Sequence, residues 1–376
     1  MWRFVPRCLI SAFVAFAAPA HAFEITGTKG TTLSATPLET FAKPWAMTFL
    51  PDGKALVTEK GGAMWLLAQD GRKIGPVKGG PSVRARGQGG LGDVILHPNY
   101  ASNGVVYVSY VERDSSNTSL SGAAVIRATL TPNAGGARLS ESDVIWRQSP
   151  KVKGNGHYGH RLAFAPDGHL FITSGERQKF DPAQDMKVNL GKVVRLTEMG
   201  DVPVDNPFVG QGGVTDQIWS LGHRNPLGIA FAGDGKLWVH EMGPRGGDEL
   251  NLIKRSANYG YPVVSDGSHY SLLPIPDHAT SAAYAKPAIS WVPSVSPSGL
   301  VIYQGSAFPQ WQGDALLGGL SGRALVHVEL AGETATEVER FKWGSRVREV
   351  EQGPNGVLYV LEDGGEGRLL RIEPGS

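Results

Sequence analysis

The sequence predicts an all-β fold, a six-bladed β-propeller with four-stranded antiparallel blades, and three observations lead to it. The 376 residues include 50 glycines and 25 prolines and contain no long runs of strong helix formers, which favours short strands joined by turns. One pattern, an apolar strand, a turn rich in Asp, Asn, Gly or Pro, and a second apolar strand, recurs at residues 45–57, 91–110, 161–173, 227–239, 300–317 and 347–361. The copies begin about 45 to 75 residues apart, the range that signals propellers or arrays, and no hairpin of this kind can bury its own face alone.

Taken in order, residues 1–22 (MWRFVPRCLISAFVAFAAPAHA) carry Arg3 and Arg7, an apolar middle and the small-x-small end Ala20-His21-Ala22. This reads as a secretory signal peptide cut after Ala22, too short in its apolar part to span a membrane comfortably. The expectation is a periplasmic or secreted protein with no membrane span after cleavage, residues 23–376 forming a single domain. Cys8, the only cysteine, lies in the signal, so the mature chain has neither disulfides nor cysteine-ligated metals. Cleavage removes two positive charges and turns the formal net charge from +1 to −1, which gives no footing for nucleic acid or an anionic membrane. Segment 23–37 is left to pair with the last blade and close the ring. Strand-like pieces at 64–67, 324–328 and 369–372 extend their blades, and the longest loops, 181–217 and 259–290, are where function is expected on a rigid scaffold.

Residues 222–251 hold a dense set of cationic, acidic and glycine positions around the fourth hairpin. Their two polar ends should reach the same sheet edge, so Arg224 and Glu249 can face one pocket. Arg224 and Asn225 offer a forked cation beside an amide, suited to an oxygen acquiring charge, although an arginine bridging two blades would look the same. Residues 242–249 turn sharply, and exposed carbonyls followed by carboxylates suit a hard cation such as Ca²⁺; a plain acidic loop is the alternative. His157, flanked by glycine and tyrosine on a loop, can be aimed at a ligand as a general base, whereas His160 leads into a strand and reads as structural. Arg346 and Arg348, at i and i+2, can grip carboxylates together from one strand face, and Arg323 can add a third cation.

Together these residues resemble the soluble glucose/sorbosone dehydrogenase family, in particular the periplasmic aldose sugar dehydrogenases that use pyrroloquinoline quinone (PQQ). The likeness runs through QGGLGDVILHPNYASNGVVYVSY, NGHYGHRLAFAPDGHLFIT, LGKVVRL with VPVDNPF, IWSLGHRNPLGIAF, EMGPRGGDELNLI with ANYGYP, and SRVREV with PNGVLYVL. The resemblance implies a six-bladed propeller that oxidises the anomeric hydroxyl of aldoses to lactones, with PQQ and Ca²⁺ as cofactors and an external electron acceptor. It implies His157 as base, Arg224 and Asn225 on the reacting quinone oxygen, and the carbonyls of Gly243 and Pro244 on Ca²⁺. Arg346, Arg348 and a cation from the Arg323 region would pair with PQQ carboxylates, Gln88 and Tyr270 would line the cofactor site, and Glu249 with the Tyr259 backbone would hold a structural Ca²⁺. The chain departs from the pattern three times, once where Gly175-Glu176-Arg177-Gln178 varies from the usual Gly-Asp-Arg/Gln-Gly. Gly156 stands where soluble glucose dehydrogenases carry an acidic residue, and the family's lysine near the fifth hairpin aligns with Ser321, two residues before Arg323. A secreted propeller that binds a sugar or protein ligand without turnover is the competing reading. A propeller lactonase would need a carboxylate cage around the channel, and no such set of inward-looking acidic positions is apparent. The preferred sugar, the acceptor and the oligomeric state are not written in the sequence.

Overall fold

All six expected hairpins form in the computed structural model, which describes residues 21–375; the expected signal peptide, Cys8 included, lies outside the described residues except for His21 and Ala22. Their strands are Pro44–Phe49 with Ala55–Glu59, Leu91–Leu96 with Val105–Arg113, Gly159–Phe164 with Leu170–Ser174, Pro226–Phe231 with Leu237–Glu241, Pro297–Ile302 with Ala315–Gly319, and Val347–Gln352 with Leu358–Glu362. The Pro-Asp-Gly turns explain the recurrence. Gly53 and Gly168 donate back to Leu50 and Ala165 at 2.9 Å, and both take a left-handed φ of 81° and 85° that a side chain would strain.

Further strands widen each hairpin into an antiparallel sheet. Lys192–Leu196 and Ile218–Leu221 do so for the third hairpin, so the stretch expected as one long loop at 181–217 in fact carries a strand. The first two four-stranded units join edge to edge where Lys73–Lys78 pairs in parallel with Gly136–Arg147. The last sheet is made from both ends of the chain: Thr32–Phe41 pairs antiparallel with Gly367–Pro374, from Leu33 opposite Pro374 to Phe41 opposite Gly367, and Phe23–Thr26 adds a fifth strand. The N-terminal segment thus meets the last sheet as its position suggested, over a longer span.

The buried apolar residues do not gather in one centre. They form layers between neighbouring sheets, such as Val105, Tyr107 and Val125 against Leu162, Ile172 and Val194. The first strands of the hairpins pack each against the next, and Val347–Gln352 packs back on Pro44–Phe49, a propeller-like arrangement. Among the described residues no helix is long and apolar enough to cross a membrane.

Those first strands surround a polar channel of about 150 Å³. Buried Arg161 is paired with Glu349 and lies 3.4 Å from Asp93, and its guanidinium sits 4.1 Å from the Trp45 ring. One cation faces three carboxylates here, Asp93, Glu349 and Glu351, so the channel does hold inward-looking acidic positions, contrary to the expectation from sequence. They come from only two hairpins, and Arg161 occupies their centre. Burial pushes Glu349 up to about 7 and Glu351, with Glu349 and Asp93 beside it, up to about 8, from an ordinary 4.5. The folded chain therefore holds protons that the unfolded chain releases near pH 4.5, and the stability tied to them is lost as pH rises through 8. Buried His160 and His240, both pushed down to about 3 by desolvation, tilt the absolute curve the other way below 6.5. The clean test is a difference: Glu351→Gln should gain on the parent in urea midpoint between about pH 5 and about pH 8.5, and a pH-independent offset would contradict the assignment.

Candidate active site

The register of the hairpins decides what meets at the rim where each first strand begins and each second strand ends. Pro44 opposes Glu59, Gly159 opposes Ser174, Pro226 opposes Glu241 and Val347 opposes Glu362. Carried one or two residues beyond the paired ends, each register brings Lys43 to Lys60, His157 to Glu176, Arg224 to Gly243 and Arg346 to Asp363. The backbone confirms it: Lys60 N–H donates to Lys43 at 3.0 Å, Arg177 N–H to His157 at 3.1 Å and Asp363 N–H to Arg346 at 2.8 Å. Equivalent positions of different hairpins thus supply the site, and they line two adjoining cavities of about 270 and 290 Å³. Consecutive residues divide between them, Tyr158 and Asn225 to the first, His157 and Arg224 to the second.

His157 is 6% exposed and held in a left-handed φ of 49°, a conformation that persists only when its surroundings fix it. Gln88 accepts its backbone N–H at 2.6 Å, and Glu176 takes Nδ1 at 2.5 Å. Burial raises the Glu176 carboxyl, but hydrogen bonds from His157 and from the Phe180 and Lys179 amides outweigh it and keep it ionised. An ionised Glu176 fixes the neutral tautomer with the proton on Nδ1, which leaves the Nε2 lone pair as acceptor. Burial pushes the His157 imidazole down, Glu176 opposes this, and Arg224 adds to it. The ring is neutral at pH 7 and able to take a proton. Tyr261, whose phenol burial pushes up to about 12, is excluded as base. In the sequence Glu176 stood out only as a departure from the family pattern and not as the partner of His157, although the register of the third hairpin alone sets it opposite.

Arg224 is 4% exposed and donates from Nη1 to the carbonyls of Met242, at 2.9 Å, and Gly243, at 2.5 Å. Glu241 accepts its backbone N–H at 2.5 Å and the His223 Nδ1 proton at 2.8 Å. Arg224 Nε and Asn225 Oδ1 are buried without a hydrogen-bond partner among the described residues. Tyr270 stands at the mouth, 74% exposed, its ring 5.9 Å from the Arg224 guanidinium. Beside Gly156 the space is filled by Gln178: a Cβ there would lie 2.6 Å from its Oε1.

The other cavity is cationic. Arg346 Nε lies 2.8 Å and Arg348 3.3 Å from Asp363, so the two arginines do converge, on a carboxylate the sequence reading did not use. Arg348 Nε is a further buried donor with no partner among the described residues. One wall is the flat stack of Trp45 on His160, centroids 4.8 Å apart at 13°; His160 is buried, with Nδ1 2.8 Å from Ser109 Oγ, in keeping with a structural role. Ser321 and Arg323 do not reach this cavity. Ser321 Oγ bonds Ser296 Oγ at 2.7 Å, and Arg323, on a left-handed turn at φ 46°, is exposed and points to the Gly344 carbonyl at 3.5 Å. The turn between the strands, not the strand face, carries Arg323, which is why simple i, i+2 reasoning misplaced it.

The residues expected on cations are placed as follows. Pro244 lines the His157 cavity, and the Gly243 carbonyl is engaged by Arg224. The carboxylates after them turn inward: Asp248 accepts from Gly243 N–H at 2.9 Å and from Val295 and Ser296 N–H at 2.7 Å, clamping the loop. Glu249 is buried in its strand beside Glu241 and accepts from Asn251 at 3.1 Å. His278 Nε2 donates to the Tyr259 carbonyl at 3.0 Å, and its Nδ1 lies 3.8 Å from Glu249. Glu249 and Tyr259 are brought together with His278 standing beside both. Glu249 and Arg224 do not share the cavity. Among the described residues no group of three or more His, Cys, Asp or Glu side chains is arranged to hold a metal.

The glucose/sorbosone dehydrogenase family model matches residues 41–371. The chain is 38% identical over 340 residues to the aldose sugar dehydrogenase YliI of Escherichia coli, spanning 88% of this chain and 90% of the relative. The crystal structure of the soluble aldose sugar dehydrogenase from E. coli in its apo form superposes with a TM-score of 0.86 at 37% identity over 91% of this chain and 100% of that one. The PQQ-bound form of aldose sugar dehydrogenase from Streptomyces coelicolor gives 0.72 at 28% identity over 91% and 98%. A match across nearly the whole described chain, on a site of this geometry, leads to one conclusion: the chain belongs to the glucose/sorbosone dehydrogenase family.

Proposed function

We propose that this chain is a PQQ- and Ca²⁺-dependent dehydrogenase that oxidises the anomeric hydroxyl of aldoses to lactones and passes the electrons to an external acceptor. The observation that carries it is a neutral, Glu176-held His157 beside Arg224, at the border of a cavity with more cations than carboxylates. The unpartnered Arg224 Nε, Asn225 Oδ1 and Arg348 Nε fit a polyanionic ligand rich in oxygens. Arg346, Arg348, Asn225, Gln88 and Arg224 would hold PQQ, with Tyr270 at the mouth, and the Gly243 and Pro244 carbonyls would hold Ca²⁺, whose remaining ligands must come from the bound anion. Glu249 and the Tyr259 carbonyl would hold a second, structural Ca²⁺, with His278 yielding the carbonyl. When bound, PQQ supplies the two-electron acceptor that no side chain provides.

His157 Nε2 receives the proton of the sugar's C1 hydroxyl, and Glu176 stabilises the imidazolium that results. Arg224 places its buried guanidinium where negative charge accumulates, in the pocket lined by Tyr261 and Phe180. We propose six four-stranded blades for the scaffold, supported by the ring of first-strand contacts, and export to the periplasm or beyond, supported by the composition of residues 1–22. The test is dye-linked oxidation of a panel of aldoses by the mature protein with PQQ and Ca²⁺ each added or withheld. Activity that needs both is expected. PQQ binding with every aldose inert removes the substrate, and no PQQ binding leaves the non-catalytic sugar- or protein-binding propeller.

A further inference from the structure

Lys60 follows the second strand of the first hairpin, far in sequence from both arginines, yet it lines the same cavity. Its stem is led there by close packing: a Cβ on Gly90 would lie 2.1 Å from the Lys60 carbonyl and 2.7 Å from its Cγ, and Gly90 has the φ of 145° that glycine tolerates. The ammonium donates to the Gly87 carbonyl. That ties it to the loop whose Gln88 accepts the His157 amide.

The charges around it do not cancel. Burial pushes the Lys60 ammonium down, Arg348, Lys43 and Arg346 push it further, and Asp363 opposes. Asp363 is already shared by Arg346 and Arg348 at 2.8 and 3.3 Å. Among the described residues no carboxylate lies within ion-pair distance of Lys60. Two half-buried cations, Lys60 and Arg348, with the more exposed Arg346 beside them share one carboxylate, an excess of positive charge that a bound anion would relieve.

We propose that Lys60 is a ligand-binding cation of this cavity, taking one carboxylate of PQQ opposite Arg346 and Arg348. It fills the role that Ser321 and Arg323 were expected to share and that their positions deny them. The assignment rests on the reading of the cavity as a PQQ site and adds to it the residue, from the first hairpin, that completes the clamp.

The test is titration of the cofactor-free mature protein with PQQ and with its trimethyl ester, in which the carboxylates carry no charge, following the fluorescence of Trp45 and the other tryptophans. Lys60→Met should weaken PQQ by about 10- to 100-fold, the range of one charge-assisted hydrogen bond, and leave the triester within about twofold. Lys60→Arg should restore most of the PQQ affinity. Unchanged PQQ affinity in Lys60→Met overturns the assignment, as does an equal loss for PQQ and triester, which would mean a purely structural effect of the Gly87 contact. A parent protein that binds no PQQ overturns the underlying function, a result separable from either of these.

Discussion

His157→Ala should lower aldose turnover by about 10²- to 10⁴-fold while PQQ affinity stays within about twofold. The expectation follows from where the ring sits. Among the described residues its one carboxylate partner is Glu176, at 2.5 Å, and its ring lines the second cavity, whereas the cationic clamp lies in the first. Removing the imidazole leaves the clamp intact. Because burial and Arg224 push the ring below the ordinary 6.5, the acid limb of the parent's pH–rate profile should fall below that value as His157 gains the proton that disables it. An alanine variant with near-parental kcat when saturated with PQQ would remove His157 from the chemistry.

Arg224→Ala should cost about 10²- to 10³-fold in kcat, the scale for deleting one preorganised donor to a developing oxyanion. Lysine should not rescue it. The guanidinium serves the Met242 and Gly243 carbonyls with one nitrogen and leaves its Nε without a partner, a division that a single ammonium cannot reproduce. Truncation also leaves two carbonyls without their donor, so thermal unfolding should be measured beside kcat. A variant that melts early but turns over normally once folded would reassign Arg224 to structure alone.

The fold was legible because its turns are written locally. Each Asp-Gly or Asn-Gly turn sits between two apolar runs, and Gly53 and Gly168 adopt the left-handed backbone that such turns require. The last sheet was legible in outline, since a leftover N-terminal strand needs an edge. Lys192–Leu196 was not: five buried residues inside a long polar stretch read as loop. At the site, His157, Arg224, Asn225 and the arginine pair stand in compact motifs. Their partners do not. Glu176 and Asp363 can be found only by extending the hairpin registers past the strands. Lys60 and Arg348 meet only because the last sheet packs back on the first, a closure that no local pattern encodes. Arg323 was expected to add a third cation on spacing alone, and the left-handed turn that carries it points it away from the cavity.

The most direct measurement of the account mixes PQQ-loaded protein with an aldose, without dye or oxygen, and follows the absorbance of the bound cofactor. The site described here predicts complete conversion to the reduced spectrum at one sugar per PQQ, and conversion slowed by orders of magnitude in His157→Ala. Bound PQQ whose spectrum no aldose alters would contradict it.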